Sequence, residues 1–304
     1  MSYLAAEHFV HSPQWLWYIL FYFFLAGIAG GSYLVGTLLR LSGDPRDEPA
    51  ARIAFLVAFP LTVICPILLT ADLGVSWWKF WHMLVNVTPG DTALNFKYWS
   101  PMSVGVWALL IFAFFATVSA LEAWLSRRGR AILPTVVNRA FDIVGSVVAI
   151  FIASYTGVLL SVSNQPVWSD TWALGGLFLA SGLTGAAALV ALIIRNRPEA
   201  SFSLGRLHAA DGYFAALELA LIIVFLVTVG AAGTLVRELS WLPLWVLAVA
   251  GVAASLVEAR GHMRMRASGG AGTVAGVRLD TVVVSILSLV GVLALRAAVI
   301  FSAQ

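Results

Sequence analysis

The sequence predicts an all-α, polytopic membrane protein, a bundle of eight transmembrane helices with both termini on the outer, periplasmic side. Of its 304 residues, 61% are hydrophobic and only 11% are charged, whereas about 25% are charged in a typical soluble domain. Apolar runs of about 20 residues recur along the chain, and each is long enough to cross the hydrocarbon of a bilayer. These runs lack the alternating pattern of strands, so helices are favoured over a barrel.

Eight apolar runs follow one another with short connections and predict one integral membrane domain over residues 1–304. The first run follows Ser12 and Pro13 without the small-residue cleavage site of a signal peptide, so we expect it to be retained as a span. We divide the domain into a first half at about 14–168 and a second helical half at about 171–301. The predicted spans are 14–39, 51–71, 101–125, 138–162, 171–194, 211–236, 241–259 and 279–301.

Arginine is concentrated at one end of the predicted spans. Fourteen of the 18 Lys and Arg residues follow spans one, three, five and seven. Cytoplasmic loops of membrane proteins carry such an excess of Lys and Arg. We therefore expect these loops in the cytoplasm, which places both termini outside and the protein in the inner, cytoplasmic membrane.

Tryptophan is concentrated at the opposite, predicted outer ends. The longest outer loop covers 72–100, and its segment VSWWKFWHMLVN at 75–86 predicts a short helix lying flat at the interface. An aromatic belt at the lipid headgroups would explain the tryptophans, and so would a surface that docks a partner. Both interpretations stay open. The residues are Trp15, Trp17, Trp77, Trp78, Trp81, Trp99, Trp168, Trp172, Trp241 and Trp245.

Carboxyl groups fall within or beside several of the predicted spans, where lipid penalises charge. Glu218 lies about seven residues into span six, and either a proton relay or structural hydrogen bonding would account for it. Glu122, Asp142 and Asp211 lie near inner ends, where pairing with the loop arginines is favoured. Together with Glu218 they also form a candidate proton path, as an inner half-channel.

Tyrosines and glycines near the outer ends suggest a place for a ligand. Tyr22 in span one and Tyr155 in span four would both lie roughly 10 Å beneath the outer surface. A phenol there donates a hydrogen bond to a ligand or to a neighbouring carbonyl. Gly27 and Gly31 are spaced i, i+4, which allows close helix approach or leaves a thin wall beside a flat ligand. Asp72, at the outer end of span two, is expected to be a solvated carboxylate.

The histidines and the single cysteine argue against a redox centre within this protein. A haem held between membrane helices usually takes two histidines at a common depth, and an iron–sulfur cluster needs about four thiolates. Cys65 is the one cysteine. We therefore expect no metal, haem or iron–sulfur cluster, so that any redox role would use a diffusible carrier and a partner's cofactors. The histidines outside the spans or at their inner ends are His8, His11, His82, His208 and His262.

Short motifs occur in the order typical of one family. The set resembles the first four helices of the NrfD/PsrC family of polysulfide reductase-like membrane subunits, across residues 20–168. The eight-span count also agrees, whereas the second half is similar mainly in span number and hydrophobicity. In order along the sequence the motifs are YFFLAGIAGG at 22–31, LTADLG at 69–74, WKFW at 78–81, SPMS at 100–103 with Trp107, SYTGVLL at 154–160 and NQPVW at 164–168.

The resemblance implies a membrane-anchor and quinone-reactive subunit of a respiratory oxidoreductase complex. Such subunits exchange electrons between menaquinone or ubiquinone, a diffusible substrate, and a ferredoxin-like iron–sulfur subunit docked on the outer face. A molybdopterin catalytic subunit is a further implied partner.

The resemblance also implies a quinone site in the first half of the protein. There, Tyr155 would hydrogen-bond a quinone oxygen and Asp72 would accept or donate the protons, as the two catalytic residues. Some relatives carry a histidine where Tyr22 stands, and a tyrosine is the poorer base near neutral pH. The residues implied to bind the quinone are Tyr22, Gly27, Gly30, Gly31, Asp72 and Tyr155.

Two other functions are compatible with the sequence. A proton-coupled secondary transporter would use Glu218 and Asp142 as coupling groups, although repeats and broken helices typical of transporters are not evident. A purely structural membrane anchor would have lost the quinone chemistry. Quinone sensitivity of the intact complex separates the anchor from the quinone-reactive subunit, and uptake by the isolated protein would support the transporter.

Overall fold

The computed structural model describes residues 15–90, 93–130, 133–230, 233–236, 238–267 and 280–304, without the side chains of 235 and 262–267. Within these ranges the protein is helical, and its one β interaction is an isolated bridge between Val85 and Leu94. Short 3₁₀ segments cover Pro45–Asp47, Gly74–Met83, Pro198–Ser203 and Leu239–Trp241. The α-helices are α1 Trp17–Leu41, α2 Glu48–Asp72, α3 Pro101–Ser126, α4 Thr135–Ser161, α5 Leu174–Ile194, α6 Leu204–Thr228, α7 Gly233–Val236, α8 Leu242–Ala267 and α9 Thr281–Phe301.

Eight helices of the described ranges are long and apolar enough to cross a membrane, all of the above except the short α7. The all-α prediction and the number of spans are therefore confirmed, and the protein is a multi-pass membrane protein. The orientation of the termini stays a prediction.

The predicted bounds of the sixth span, 211–236, are wrong. Helix α6 begins seven residues earlier, at Leu204, and ends eight residues earlier, at Thr228. Its start is fixed by the buried carboxylate of Asp47, which accepts hydrogen bonds from Ser203 and Arg206. Shortly after its end Gly230 has a φ of +60°, a conformation that favours glycine.

Helix α1 lies at the centre of the bundle and packs against α2, α4, α5 and α9. Its glycines bring neighbouring backbones into contact. A Cβ on Gly30 would lie 2.5 Å from the carbonyl oxygen of Ala149 in α4, and one on Gly31 would lie 2.6 Å from that of Gly182 in α5. Small residues allow such close approach of membrane helices, so the sequence of α1 determines its distance from α4 and α5.

The helix ends group on two sides of the bundle. On the aromatic side, where α1 begins and α9 ends, the rings of Trp17 and Phe301 lie 5.3 Å apart. On the arginine side, where α1 ends and α2 begins, Asp47 binds Arg206 of α6. Nearby, the side-chain hydrogen bond from Arg46 lowers the pKa of the Asp44 carboxyl to about 2.

The segment Gly74–Met83 follows α2 on the aromatic side. It is a 3₁₀ run with no buried residue, so the short helix predicted at 75–86 exists but has the tighter geometry and ends at Met83. Trp77 and Trp78 are 58% and 53% exposed, and the ammonium of Lys79 lies over the Trp78 ring. The protein therefore presents an aromatic surface with one cation at this place.

Trp168 fits neither of the two interpretations left open for the outer tryptophans, an interfacial belt or a docking surface. It is fully buried, stacks on Trp15 with ring centroids 5.0 Å apart, and donates its indole N–H to the carbonyl of Val299 at 2.8 Å. The preceding Val167 has φ of +72°, a conformation that costs energy for a β-branched residue. The turn at Val167 carries the indole from the α4–α5 connection into contact with α9.

We expect Gly31→Ala to destabilise the protein by about 1–3 kcal/mol, because the added methyl group overpacks the contact between α1 and α5. Thermal unfolding in detergent measures the loss. Gly205→Ala is the matched control, since a Cβ there meets no atom within 4 Å, and it should leave stability within about 1 kcal/mol. Equal effects of the two substitutions would contradict the packing role of Gly31.

Candidate functional site

Tyr22 and Tyr155 lie near the aromatic side, on α1 and α4. Both side chains are buried, with 4% and 6% exposed. Tyr22 is close enough to Tyr155, and to Cys65 of α2, for electrostatic interaction between the groups. The two predicted tyrosines are therefore neighbours on different helices, and the thiol of Cys65 on a third helix lies near Tyr22.

The hydroxyl of Tyr155 donates a hydrogen bond to the carbonyl oxygen of Pro101, the first residue of α3, at 2.6 Å. Its ring fills the space left by Gly105, where a Cβ would overlap the ring, and stacks against Phe151 with ring centroids 5.7 Å apart. The phenol was expected to donate either to a ligand or to a neighbouring carbonyl, and in the structure it donates to the carbonyl. A ligand oxygen would have to share or replace Pro101 as acceptor.

Asp72 is the last residue of α2 and is exposed. No hydrogen bond, ion pair or electrostatic interaction joins it to Tyr155 among the described residues. Its side chain is therefore a solvated carboxylate at the end of a helix. Proton transfer between Asp72 and the tyrosine pair would require water or a change in side-chain position.

The glycines predicted to line the site contact protein atoms. Gly30 and Gly31 face α4 and α5, as described above, and a Cβ on Gly27 would collide with the guanidinium of Arg296 in α9. These glycines therefore allow neighbouring helices to approach closely, as one of the two interpretations expected. Their contact with a ligand stays a prediction.

Arg296 is a buried residue of this region that the sequence pattern did not single out, because its place near the end of the sequence groups it with the outer basic residues. It is fully buried in α9, five residues before the helix ends. The guanidinium donates to the carbonyl oxygens of Phe23 and Phe178 and to the hydroxyl of Ser181. The sequence does contain one indication of a buried functional residue here, namely a charged side chain inside the apolar run 279–301, where lipid penalises charge.

Glu218 and Asp211 lie on the same face of α6, two turns apart, and both are buried. Glu218 interacts with Thr184 of α5 and lies within electrostatic range of Arg296. Asp211 interacts with Ser255 of α8 and feels the charge of Glu218. These two predicted proton-path residues therefore belong to one buried polar group in the second half of the protein.

The same polar group extends toward the arginine side. His208, one turn before Asp211, lies 3.3 Å from the carboxylate of Glu258 in α8. Glu258 also accepts a hydrogen bond from Thr281, and the Ser255 and Ser288 hydroxyls lie 2.7 Å apart. Buried polar side chains thus continue from the ends of α6 and α8 to the level of Glu218.

Asp142 belongs to a separate buried network in the first half. It accepts a hydrogen bond from Arg40 at 2.8 Å and one from Ser119 at 3.2 Å, and the Tyr33 hydroxyl lies 2.8 Å from that of Ser119. Arg40 also pairs with Glu48. The expected pairing of Asp142 with an arginine is therefore confirmed. The fourth residue of the predicted path, Glu122, is buried in α3.

No group of three or more His, Cys, Asp or Glu side chains that could hold a metal ion occurs in the described ranges. His82 lies in the loop after α2 and His208 pairs with Glu258, as above. The structure does not describe His8 and His11, nor the side chain of His262.

Comparison with protein families identifies the relatives of this protein. The family model described as "Polysulphide reductase, NrfD" matches residues 7–257. The chain belongs to the NrfD family. It is 29% identical over 220 residues to "Protein NrfD" of Escherichia coli strain K12, and 28% identical over 215 residues to the C polypeptide of the polysulfide reductase of Wolinella succinogenes.

Each of these two matches covers 65% of the chain, and they extend over 65% and 64% of the relatives' own lengths, just under two thirds. The NrfD family model includes α1 to α6 and most of α8, and with them the two tyrosines and Asp72. Helix α9 lies beyond residue 257, so Arg296 is outside the matched region.

We expect Asp142→Ala to destabilise this NrfD-family protein by about 3–5 kcal/mol, since it leaves the buried guanidinium of Arg40 without its shortest ion pair. Unfolding in detergent measures the loss. Glu48→Gln is the control, because the Glu48 side chain is 32% exposed and such pairs contribute about 1 kcal/mol or less. If both variants lost the same stability, Asp142 would not be the main counter-ion.

Proposed function

We propose that this NrfD-family protein is the membrane-anchor and quinone-reactive subunit of a respiratory oxidoreductase complex in the cytoplasmic membrane. It would exchange electrons between a quinone and an iron–sulfur subunit docked on the aromatic side, which would be the outer face. The observation that carries the proposal is the pair of buried phenols, Tyr22 and Tyr155, placed together on the two helices that bear the first and fourth family motifs.

The chemistry of the pair suits a quinone. A quinone oxygen accepts hydrogen bonds, and a buried phenol is a neutral donor that stays protonated near neutral pH. In this role Tyr155 would turn its O–H from the Pro101 carbonyl to the substrate oxygen, and Tyr22 would hold the other side of the ring. Phe151, stacked on Tyr155, would limit the orientations of the phenol.

Proton exchange would use Asp72. Oxidation of a quinol releases two protons along with its two electrons, and an exposed carboxylate at the end of α2 can pass them to water. Because no direct contact joins Asp72 to Tyr155 among the described residues, the transfer would proceed through water. The buried group around Glu218 and Asp211 would then be a separate proton path, on the second half of the protein.

The exposed segment Gly74–Met83 would dock the iron–sulfur subunit. Tryptophans are enriched in protein interfaces because they offer large apolar area and a polar atom together. Trp77, Trp78 and the cation of Lys79 form such a surface. Its position, directly after α2, would hold the partner's nearest cluster beside the quinone.

A proton-coupled transporter is the second candidate, and the buried polar group of α6, α8 and α9 is the observation in its favour. That group lacks Asp142, which is engaged with Arg40 in the first half. Substrate uptake by the isolated protein in liposomes would support this alternative. A purely structural anchor would show no quinone dependence in the intact complex.

We expect Tyr155→Phe to lower quinol kcat/KM of the purified complex about threefold to tenfold, because one hydrogen bond contributes about 0.5–1.5 kcal/mol. Tyr213→Phe is the control, since Tyr213 is 71% exposed on α6. Activity of the partner with an artificial electron donor should stay at the wild-type value. Unchanged quinol turnover in Tyr155→Phe would refute the assignment of this phenol.

Asp72→Asn should lower quinol kcat by about 100-fold or more, because general acid–base groups contribute factors of about 100 to 10,000. Steady-state quinol oxidation at several pH values measures it. Glu199→Gln, at an exposed carboxylate on the arginine side, should have no effect. A wild-type rate in Asp72→Asn would leave proton exchange to another group.

Trp78→Ser should reduce co-purification of the iron–sulfur subunit, because it removes an exposed aromatic anchor of the docking surface. Trp172→Ser is the matched control, since Trp172 is 75% exposed on the same side but outside the segment. The ratio of the two subunits after affinity purification is the measurement. Equal retention in both variants would exclude the segment as the docking surface.

A further inference from the structure

Arg296 is a buried cation whose direct contacts among the described residues are all neutral. It donates to the Phe23 carbonyl at 2.5 Å, to the Phe178 carbonyl at 2.9 Å and to the Ser181 hydroxyl at 3.0 Å, and its guanidinium lies 4.8 Å from the centre of the Phe178 ring. Burial of a charge is costly unless other groups compensate it. The hydrogen bonds satisfy part of the guanidinium but do not neutralise it.

The compensating charge is Glu218 of α6. It is buried and lies within electrostatic range of Arg296, but the two do not form an ion pair in contact. The Glu218 Oε2 and the Arg296 Nε have no hydrogen-bond partner among the described residues. The attraction between the two side chains therefore competes with the hydrogen bonds that hold the guanidinium against α1 and α5.

We propose that Arg296 is a positioning residue that couples the charge of Glu218 to the backbone of α1 at Phe23, and thereby to the adjacent Tyr22. An ionised Glu218 attracts the guanidinium away from the Phe23 carbonyl. A neutral Glu218 leaves it bound there. Gly27 permits this contact, because any side chain at that position would occupy the place of the guanidinium.

Few other ionisable groups surround the guanidinium in the described ranges. On α1, Tyr22 is the residue before Phe23, and α5 contributes the Ser181 hydroxyl and the Phe178 carbonyl. On α8 the buried acid is Glu258, which pairs with His208 at the arginine side. Asp211 interacts with Glu218 but not with Arg296. Glu218 is thus the group whose protonation Arg296 would sense.

This coupling would link the buried polar group of the second half to the tyrosine pair of the first. Its effect on turnover rests on the proposed quinone site, but its effect on the packing of α1 does not. It also concerns a helix outside the region matched by the family model, since α9 begins after residue 257. Both consequences can be measured separately.

Cys65 reports on the packing around Tyr22 without any quinone. It is the single cysteine of the protein, fully buried, and close to Tyr22. Its alkylation by N-ethylmaleimide in the intact complex, followed by mass spectrometry of the peptide that contains it, measures how often this region opens. We expect Arg296→Gln and Glu218→Gln each to change the alkylation rate about threefold or more.

The double variant decides whether the two residues act as one unit. With Arg296 already replaced, Glu218→Gln should have no further effect, because coupled residues in contact or in one network give non-additive changes. Glu199→Gln is the control, an exposed acid outside this buried polar group, and any effect it has should multiply with that of Arg296→Gln. Multiplicative effects of the Glu218 and Arg296 variants would overturn the proposal.

A milder variant keeps the test valid if Arg296→Gln does not fold. Ser181→Ala removes one acceptor of the guanidinium and should change Cys65 alkylation in the same direction as Arg296→Gln, by a smaller factor. If neither of the single variants Ser181→Ala and Glu218→Gln changed the alkylation rate of Cys65, the coupling would equally be refuted.

Quinol kinetics provide the second readout. The quinol KM of the wild-type complex should vary with pH through the titration of Glu218. This variation should disappear in Glu218→Gln, shift to a different pH in Ser181→Ala and persist in Glu199→Gln. A complex without any quinol turnover would refute the proposed function, while the alkylation experiment would still decide the role of Arg296.

Discussion

The backbone of α1 lies directly against those of α4 and α5, because Gly30 faces the carbonyl of Ala149 and Gly31 faces that of Gly182. In a bilayer there is little hydrophobic force between helices, so such close van der Waals contact is a main source of their association. The distances of Tyr22 from Tyr155, and of Phe23 from Arg296, follow from this contact. The same glycines that were predicted to face a ligand therefore determine where the two tyrosine side chains lie.

Buried charge divides the molecule into two regions. In the first, Arg40, Asp142 and Glu48 form direct ion pairs on the arginine side of α1, α2 and α4. In the second, Glu218 and Arg296 attract each other without contact. Direct pairs stabilise one arrangement, because removing either partner leaves an uncompensated charge. A separated pair leaves room for a change of protonation, which is the property that a proton-handling site requires.

The sequence predicted those features that depend on composition and local pattern. Eight spans follow from apolar length alone, and the pairing of Asp142 with an arginine follows from the cost of a lone charge in lipid. The start of α6 could not be read in this way, because Asp47 fixes it from a distant loop. The burial of Trp168 depends on the positive φ of Val167, which no residue type at that position signals.

Arg296 shows the same limit for the site. Its three acceptors belong to α1 and α5, more than one hundred residues away in the sequence, and only the tertiary fold brings them together. Tyr22 and Tyr155, by contrast, were placed at equal depth by counting residues along two spans. Position along a span can thus be counted in the sequence, whereas the neighbours at that position cannot.

The partners of Arg296 also bear on biosynthesis. An arginine within a span costs about 2.5–3.5 kcal/mol during insertion into the membrane, and proteins are made from the N-terminus onward. The acceptors on α1 and α5 are therefore in the bilayer before α9 is synthesised. Docking of α9 onto α1 and α5 becomes the step that offsets this cost, so that Arg296 is stabilised only when those earlier helices are already in the membrane.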